Sequence, residues 1–157
     1  AGDDIMARLD DVDMQILTAL YSDASVSVPK LSKRLGVNLS VTYSRIKRLM
    51  MRGVIEQLKL FVNEGKLGFP ASAIVGVNLD PKLRELAMEE LAKLGAVREM
   101  KEVTGRFDVF VTLRAKTIEE IHKLVAEVIG KIQGVNQAEM FVEVATRRPL
   151  IGFKIAS

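Results

Sequence analysis

Residues 27–53 read SVPKLSKRLGVNLSVTYSRIKRLMMRG, and the punctuation of this stretch decides the fold. Pro29 falls in a first helical turn, where its missing N–H has no partner to lose. Gly36 stands where a short helix needs a left-handed residue to stop. Asn38 follows as an N-cap, its carboxamide oxygen able to accept from the free N–H groups of the next turn. The helix it opens runs from Leu39 to Arg52, with Thr42, Ile46 and Leu49 or Met50 on one face, and Gly53 ends it. Two helices joined across so tight a turn make a helix-turn-helix.

Working outward, Asp10 or Asp11 opens an earlier helix. Its Leu9, Val12, Ile16, Leu17 and Leu20 recur at spacings near three and four, and turn formers gather at Tyr21-Ser22-Asp23. On the other side, Val54 to Val62 mostly alternates apolar and polar side chains. It is expected to form a strand and, with a partner strand, a wing. Residues 63–70 hold two glycines and a proline and read as a hinge.

The remainder reads as strand, helix, strand, strand, helix, strand. The first strand is Ala71 to Leu79. A helix is expected from Asp80-Pro81, with Leu83, Leu86, Ala87, Leu91 and Leu94 on its apolar face and Gly95 as its stop. Strands Ala96–Val103 and Phe107–Arg114 flank the turn Thr104-Gly105-Arg106. Thr117 caps the next helix, with Glu120 three residues on as a capping box. Ile118, Ile121, Val125, Val128 or Ile129, and Ile132 make its stripe. A strand follows near Gln137–Thr146, and Ile151–Ile155 is expected to add another short one. This βαββαβ order is that of a ferredoxin-like domain, with two helices on one face of an antiparallel sheet. The fold class is therefore α+β: a winged helix-turn-helix (1–62), a hinge (63–70) and a ferredoxin-like domain (71–157).

Alternation places Phe107, Val109, Val111 and Leu113 on one sheet face and Asp108, Phe110 and Thr112 on the other. Ile74 opposes Ala73 and Val75, and Phe141 opposes Met140 and Val142. Both faces carry large apolar side chains. A sheet face left apolar needs a partner, and pairing of two copies sheet to sheet supplies it.

Composition narrows the function. The chain has 157 residues, 48% of them hydrophobic and 27% charged, enough for two small domains of ordinary soluble type. No apolar run approaches the ~20 residues that span a bilayer. Residues 1–8, AGDDIMAR, carry acids where a secretory segment carries basic charge, and read as an extension; a cytoplasmic location is expected. There is no cysteine, which excludes disulfides, thiolate nucleophiles and cysteine-ligated metals. The one histidine, His122, excludes multi-histidine metal sites and is the sole histidine base available to an enzyme. It lies mid-helix beside Glu119, Glu120 and Lys123, the setting of a solvated helix surface. No phosphate loop and no metal-ligand spacing appears. Neither catalysis nor a cofactor is expected.

The net charge is +3, but it is unevenly spread. Residues 27–60 carry Lys30, Lys33, Arg34, Arg45, Lys47, Arg48, Arg52 and Lys59 against Glu56 alone, a local +7. Such a segment suits a phosphate backbone, although a solvated helical face has the same composition. A helix-turn-helix places the N-terminal part of its second helix in the major groove of double-stranded DNA. Asn38, Ser40, Val41, Tyr43 and Ser44 then meet the DNA: the polar ones by hydrogen bonds to base edges or phosphates, Val41 against a thymine methyl. None supplies a bidentate arginine–guanine pair, so DNA shape should carry part of the readout. Lys30, Lys33, Arg34, Lys47, Arg48 and Arg52 suit phosphates. Arg45 suits a phosphate or equally braces the helix, and Tyr43 has a plain surface aromatic as its lesser alternative. An amino-acid sensor without DNA leaves the basic segment unexplained. An architectural DNA-binding protein with little sequence preference remains the near rival.

The ordered set of motifs resembles the Lrp/AsnC, or feast/famine, transcription regulators across roughly residues 9–148. It comprises Leu9-Asp10-x-x-Asp13-x-x-Ile16-Leu17, Leu31 with Arg34 and Gly36, Arg45-Ile46-x-x-Leu49 with Gly53-Val54-Ile55, Val103-Thr104-Gly105-x-x-Asp108 and Gly134-Val135. Lys30, Ser32, Thr42, Met50 and Met140 depart from its common residues, which leaves target sequence and effector open. The resemblance implies homodimers that assemble into tetramers or octamers on pseudo-palindromic operators. It also implies an amino-acid effector near the glycine turn, at Val103, Thr104, Gly105, Arg106 and Asp108, facing Val142 and Val144. There Asp108 would pair with an ammonium, and Arg106 or backbone N–H groups near Gly105 would hold a carboxylate. The plainer reading is that Gly105 permits a tight turn and Asp108 caps it.

Overall fold

In the computed structural model, which describes residues 9–156, the first helix opens on a reciprocal cap. The Asp10 carboxylate accepts the Asp13 N–H at 3.0 Å, and the Asp13 carboxylate accepts the Asp10 N–H at 3.1 Å. Two of the helix's free donors are thus satisfied at once. Helix α1 spans Asp11–Ser22, α2 Val28–Leu35 and α3 Leu39–Met51. Ser27 caps α2 by accepting the Lys30 N–H, and Asn38 caps α3 by accepting the Ser40 N–H. Each helix contributes one fully buried anchor, Ile16, Leu31 and Leu49, with Val12, Leu20, Leu35, Ile46 and Ile55 packed around them. Burying each anchor contributes about 1.5–3 kcal/mol, which is what holds three short helices together. Residues 1–8, read as an extension, lie outside the described residues.

The wing strand is not formed. Residues 54–62 run without a β-ladder, and Leu58, Leu60 and Phe61 are exposed. An alternating pattern makes a strand only when another backbone pairs with it, and among the described residues none does.

The described residues divide into two compact units, one formed by 9–61 with 147–156 and the other by Val62–Thr146. The grouping of residues 147–157 differs from the expected continuous 71–157 domain. Ile151–Ile155 forms no strand. Instead the Phe153 N–H donates to Thr18 Oγ1 at 2.9 Å, and the Phe153 ring meets Tyr21 edge to face at 5.3 Å. Arg148 stacks over Phe61 at 4.7 Å. The side-chain partners of this tail lie on the helical unit, so it packs there.

In the second unit a 3-10 turn, Glu64–Leu67, precedes β1 (Ala71–Leu79). Then come α4 (Arg84–Ala92), β2 (Val97–Glu102), β3 (Val109–Ala115), α5 (Ile118–Glu127), a 3-10 turn Ile129–Lys131, and β4 (Val135–Val142). The antiparallel sheet runs β2-β3-β1-β4, the ferredoxin-like order. Val75, Val77, Val109, Val111 and Leu113 are fully buried with Ala87, Leu91, Ile121 and Ile129 of the helical layer. Helix α4 begins later than Asp80-Pro81 implied. The Asp80 carboxylate accepts the Lys82 N–H at 2.9 Å and closes a turn, so regular helix starts only at Arg84.

Phe107 also departs from the alternating pattern. It precedes the first residue of β3, and its ring turns to the open sheet face. There it meets Phe110 and Phe141 edge to face at 5.6 and 6.1 Å. Gly76 makes room, since a Cβ at that position would lie 2.7 Å from the ring. The open face thus presents an aromatic cluster, with Phe141 itself exposed.

Candidate nucleic-acid interface and effector site

The N-terminal half of α3 is an exposed, mixed surface built on a buried row. Thr42 and Leu49 point inward, and the Thr42 hydroxyl donates to the Asn38 carbonyl at 3.0 Å. Val41, Tyr43 and Ser44 are therefore turned to solvent, Tyr43 with 54% of its surface exposed. Ser40 is exposed too, but its hydroxyl donates to Asn38 Oδ1 at 2.7 Å. Asn38 and Ser40 thus form one cap. Lys30, Lys33 and Arg34 are exposed on α2, and Lys47 on α3. The surface combines short polar groups, the methyl-bearing side chains of Leu39 and Val41 and flanking cations, which is the chemistry of groove and phosphate contact.

Three arginines sit differently. Arg45 pairs with Asp10 and lies 3.3 Å from Asp13. Arg48 Nη2 lies 3.2 Å from the same Asp13 carboxylate, whose side chain is wholly buried. Hydrogen bonding from the Arg45 guanidinium, ahead of the Asp13 N–H, lowers the Asp10 carboxyl from its usual 3.8 to about 2. The same bond to Asp10 raises Arg45. Arg52 is half-buried at the C-terminal cap of α3. In the sequence Asp10 and Asp13 signal only a helix start. Their pairing with α3 spans 35 positions and leaves no local signal in the sequence.

In the second unit, Gly105 adopts φ 119, a conformation that suits glycine, and lets the chain reverse between β2 and β3. The Val103 N–H donates to the Asp108 carbonyl at 3.0 Å across the turn. Thr104 and Arg106 are exposed, and Val103 and Asp108 half-buried. The Asp108 carboxylate has partners within the chain: it accepts the Leu79 N–H at 2.8 Å and lies 3.9 Å from Arg84. Arg84 in turn holds Glu102 at 2.9 Å, and Arg106 holds Glu139 at 3.2 Å. Arg84, Glu102 and Glu139 are polar neighbours of the turn that sequence reading missed.

Val142 does not reach Asp108 along the sheet, and Val144 is exposed beyond the end of β4. Val142 pairs with Ala73, whereas Asp108 bonds to Val77 and Leu79, at the far end of β1. At ~3.3 Å per residue, four to six residues separate them by on the order of 15 Å. His122 is exposed on α5, beside a shallow pocket it shares with Asn136, Gln137 and Met140.

Comparison with known proteins converges on these two units. Residues 9–56 match the family model described as winged helix-turn-helix DNA-binding, and residues 72–149 the one described as Lrp/AsnC ligand binding domain. An uncharacterized HTH-type transcriptional regulator of Pyrococcus furiosus is 34% identical over 88% of this chain and 94% of its own. A transcriptional regulator of Neisseria meningitidis, solved in complex with L-Met, superposes with a TM-score of 0.85 at 19% identity, covering 93% of this chain and 96% of that one. AsnC of E. coli superposes with a TM-score of 0.78 at 22% identity, covering 94% and 99%. With a DNA-binding unit and a regulatory unit matched in the same order, the chain belongs to the Lrp/AsnC family of DNA-binding transcriptional regulators.

Proposed function

We propose that two copies of the chain pair through the open sheet face and present two α3 helices to successive major grooves of a pseudo-palindromic operator. The carrying observation is the exposed N-terminal half of α3, with Val41, Tyr43 and Ser44 outward and Thr42 and Leu49 buried. That helix is rigid because its other face is core, so its exposed side chains meet base edges in a fixed register. Lys30, Lys33, Arg34 and Lys47 hold the backbone on either side. The aromatic cluster of Phe107, Phe110 and Phe141 supplies the apolar area that a sheet-to-sheet dimer buries. Assembly to tetramers or octamers, action in the cytoplasm, and work by binding rather than catalysis complete this reading.

The effector we propose is a free amino acid, as in the L-Met complex of the Neisseria regulator. The exposed Thr104 and Arg106 and the N–H groups around Gly105 supply carboxylate donors. Asp108 is bound to Leu79 and Arg84, Glu102 to Arg84 and Glu139 to Arg106, so the ammonium takes one of these acids by displacing its arginine. Val142 and Val144 would come from a neighbouring copy. The ligand acts by favouring one assembly over another.

The test is binding to the DNA upstream of the protein's own coding sequence against random duplex, at several stated salt concentrations. Tyr43→Ala and Ser44→Ala should weaken the upstream site and leave random DNA nearly unchanged. Equal affinity for both duplexes in the wild type would replace sequence reading with an architectural role.

A further inference from the structure

We infer that Asp10 and Asp13 withhold Arg45 and Arg48 from DNA phosphates, and so limit the non-specific affinity of the reading surface. The inference rests on the reading of α3 as the helix that enters the groove.

The +7 of residues 27–60 overstates what DNA meets. Asp10 and Asp13, outside that segment in sequence, lie against it in space. Arg45 pairs with Asp10 and sits 3.3 Å from Asp13, with only 23% of its side chain exposed. Arg48 Nη2 is 3.2 Å from Asp13, which has no exposed side-chain surface. A buried carboxylate between two guanidinium groups is shielded from salt and competes well for both. Transfer of Arg45 to a phosphate would exchange one charge-assisted hydrogen bond for another, take from Asp10 its arginine and leave the buried Asp13 with Arg48 alone.

Non-specific affinity grows with the number of phosphates neutralised, each adding about 0.9 to the slope of log affinity against log salt. Base contacts add nothing to that slope. Two arginines held intramolecularly therefore lower attraction to any DNA while Val41, Tyr43 and Ser44 continue to read the groove. The acids on α1 are positioning residues whose effect is on specificity.

The experiment compares salt dependence of binding to a random-sequence duplex for wild type, Asp10→Asn, Arg45→Ala, the double variant and Asp11→Asn. Asparagine remains a good N-cap, so α1 keeps its start; thermal unfolding checks that each variant is folded. Asp11 is an exposed acid of the same turn with no α3 arginine on it, which controls for overall charge. Asp10→Asn leaves Arg45 only the Asp13 carboxylate that Arg48 already shares, and should raise random-duplex affinity and steepen the slope by up to about 0.9. Arg45→Ala alone should leave the wild-type slope unchanged, and the double variant should return to it. A wild-type slope that drops by about one unit in Arg45→Ala would place Arg45 on a phosphate already and overturn the inference. So would an Asp11→Asn effect equal to that of Asp10→Asn, or no change in Asp10→Asn. Wild-type protein that binds no duplex at any salt would remove the DNA reading itself.

Discussion

The ring of Phe107 covers Gly76 of β1 so closely that a Cβ there would come within 2.7 Å of ring carbons. Glycine in the middle of a strand normally weakens it, so this one is explained by the ring it admits. Gly76→Ala must displace the ring from its edge-to-face contacts with Phe110 and Phe141. The expected cost is about 1–3 kcal/mol, as for other overpacked sites. Urea unfolding of Gly76→Ala, Phe107→Ala and the double variant checks it. The double should be less destabilised than the two singles summed, because the clash is gone. Strict additivity would show that the two residues act independently.

Asp13 carries more than its helix cap. Its buried carboxylate faces both Arg45 and Arg48. Asp13→Ala leaves two partly buried cations without that partner and removes half of the reciprocal cap. Loss of one partner of a buried pair costs about 3–5 kcal/mol, and the partial exposure of both arginines places this site toward the lower figure. Asp13→Asn keeps the cap acceptor and should lose less. Unfolding midpoints of the two variants measure the difference, and equal losses would assign the whole effect to the lost carboxylate charge and none of it to the cap.

What was legible in the sequence was local. Asp10, Asn38 and Thr117 announce helix starts because a cap is satisfied within three residues, and each has its hydrogen bond in the structure. The order of strands and helices along the second unit followed from counting elements. What escaped depended on distant partners. Asp80-Pro81 looks like a cap, but Asp80 spends its carboxylate on Lys82. Residues 54–62 alternate like a strand, yet pairing needs a second backbone. Phe107 precedes the ladder, so alternation does not govern it. The family resemblance groups the turn at Gly105 with Val142, but the β1–β4 register sets Val142 opposite Ala73, at the other end of β1 from Asp108. Arg45 could be read as a phosphate ligand or a brace, and only the fold brings Asp10 to it.

The tail should stabilise the helical unit. Phe153 contributes one hydrogen bond to Thr18 and one aromatic contact with Tyr21. An aromatic pair adds about 0.5–1.5 kcal/mol beyond burial. Phe153→Ala should therefore lower helical-unit stability by roughly 1–2 kcal/mol. Amide exchange along α1 reads this locally, with faster exchange expected there and none in the β-sheet. An unchanged α1 would mean the tail is a passive passenger.

The Asp10–Arg45 pair gives stability a defined dependence on acid. The folded-state carboxyl titrates at about 2 against an ordinary 3.8, chiefly because Arg45 donates to its charged form. A carboxyl lowered by folding binds fewer protons folded than unfolded. Its contribution is therefore fully present above about pH 4 and is lost as pH falls toward 2. Asp10 is half-exposed, so solvent screens the pair and the effect is small beside the burial of the core. Asp10→Asn keeps the cap but cannot titrate. The gap in thermal midpoint between wild type and Asp10→Asn should be constant from pH 7 to pH 5 and close between pH 4 and pH 2. Addition of salt at pH 7 should narrow it as well, since the partner charges are reachable by ions. A gap that persists unchanged at pH 2 would assign the difference to side-chain packing, and the ion pair would then have no part in it.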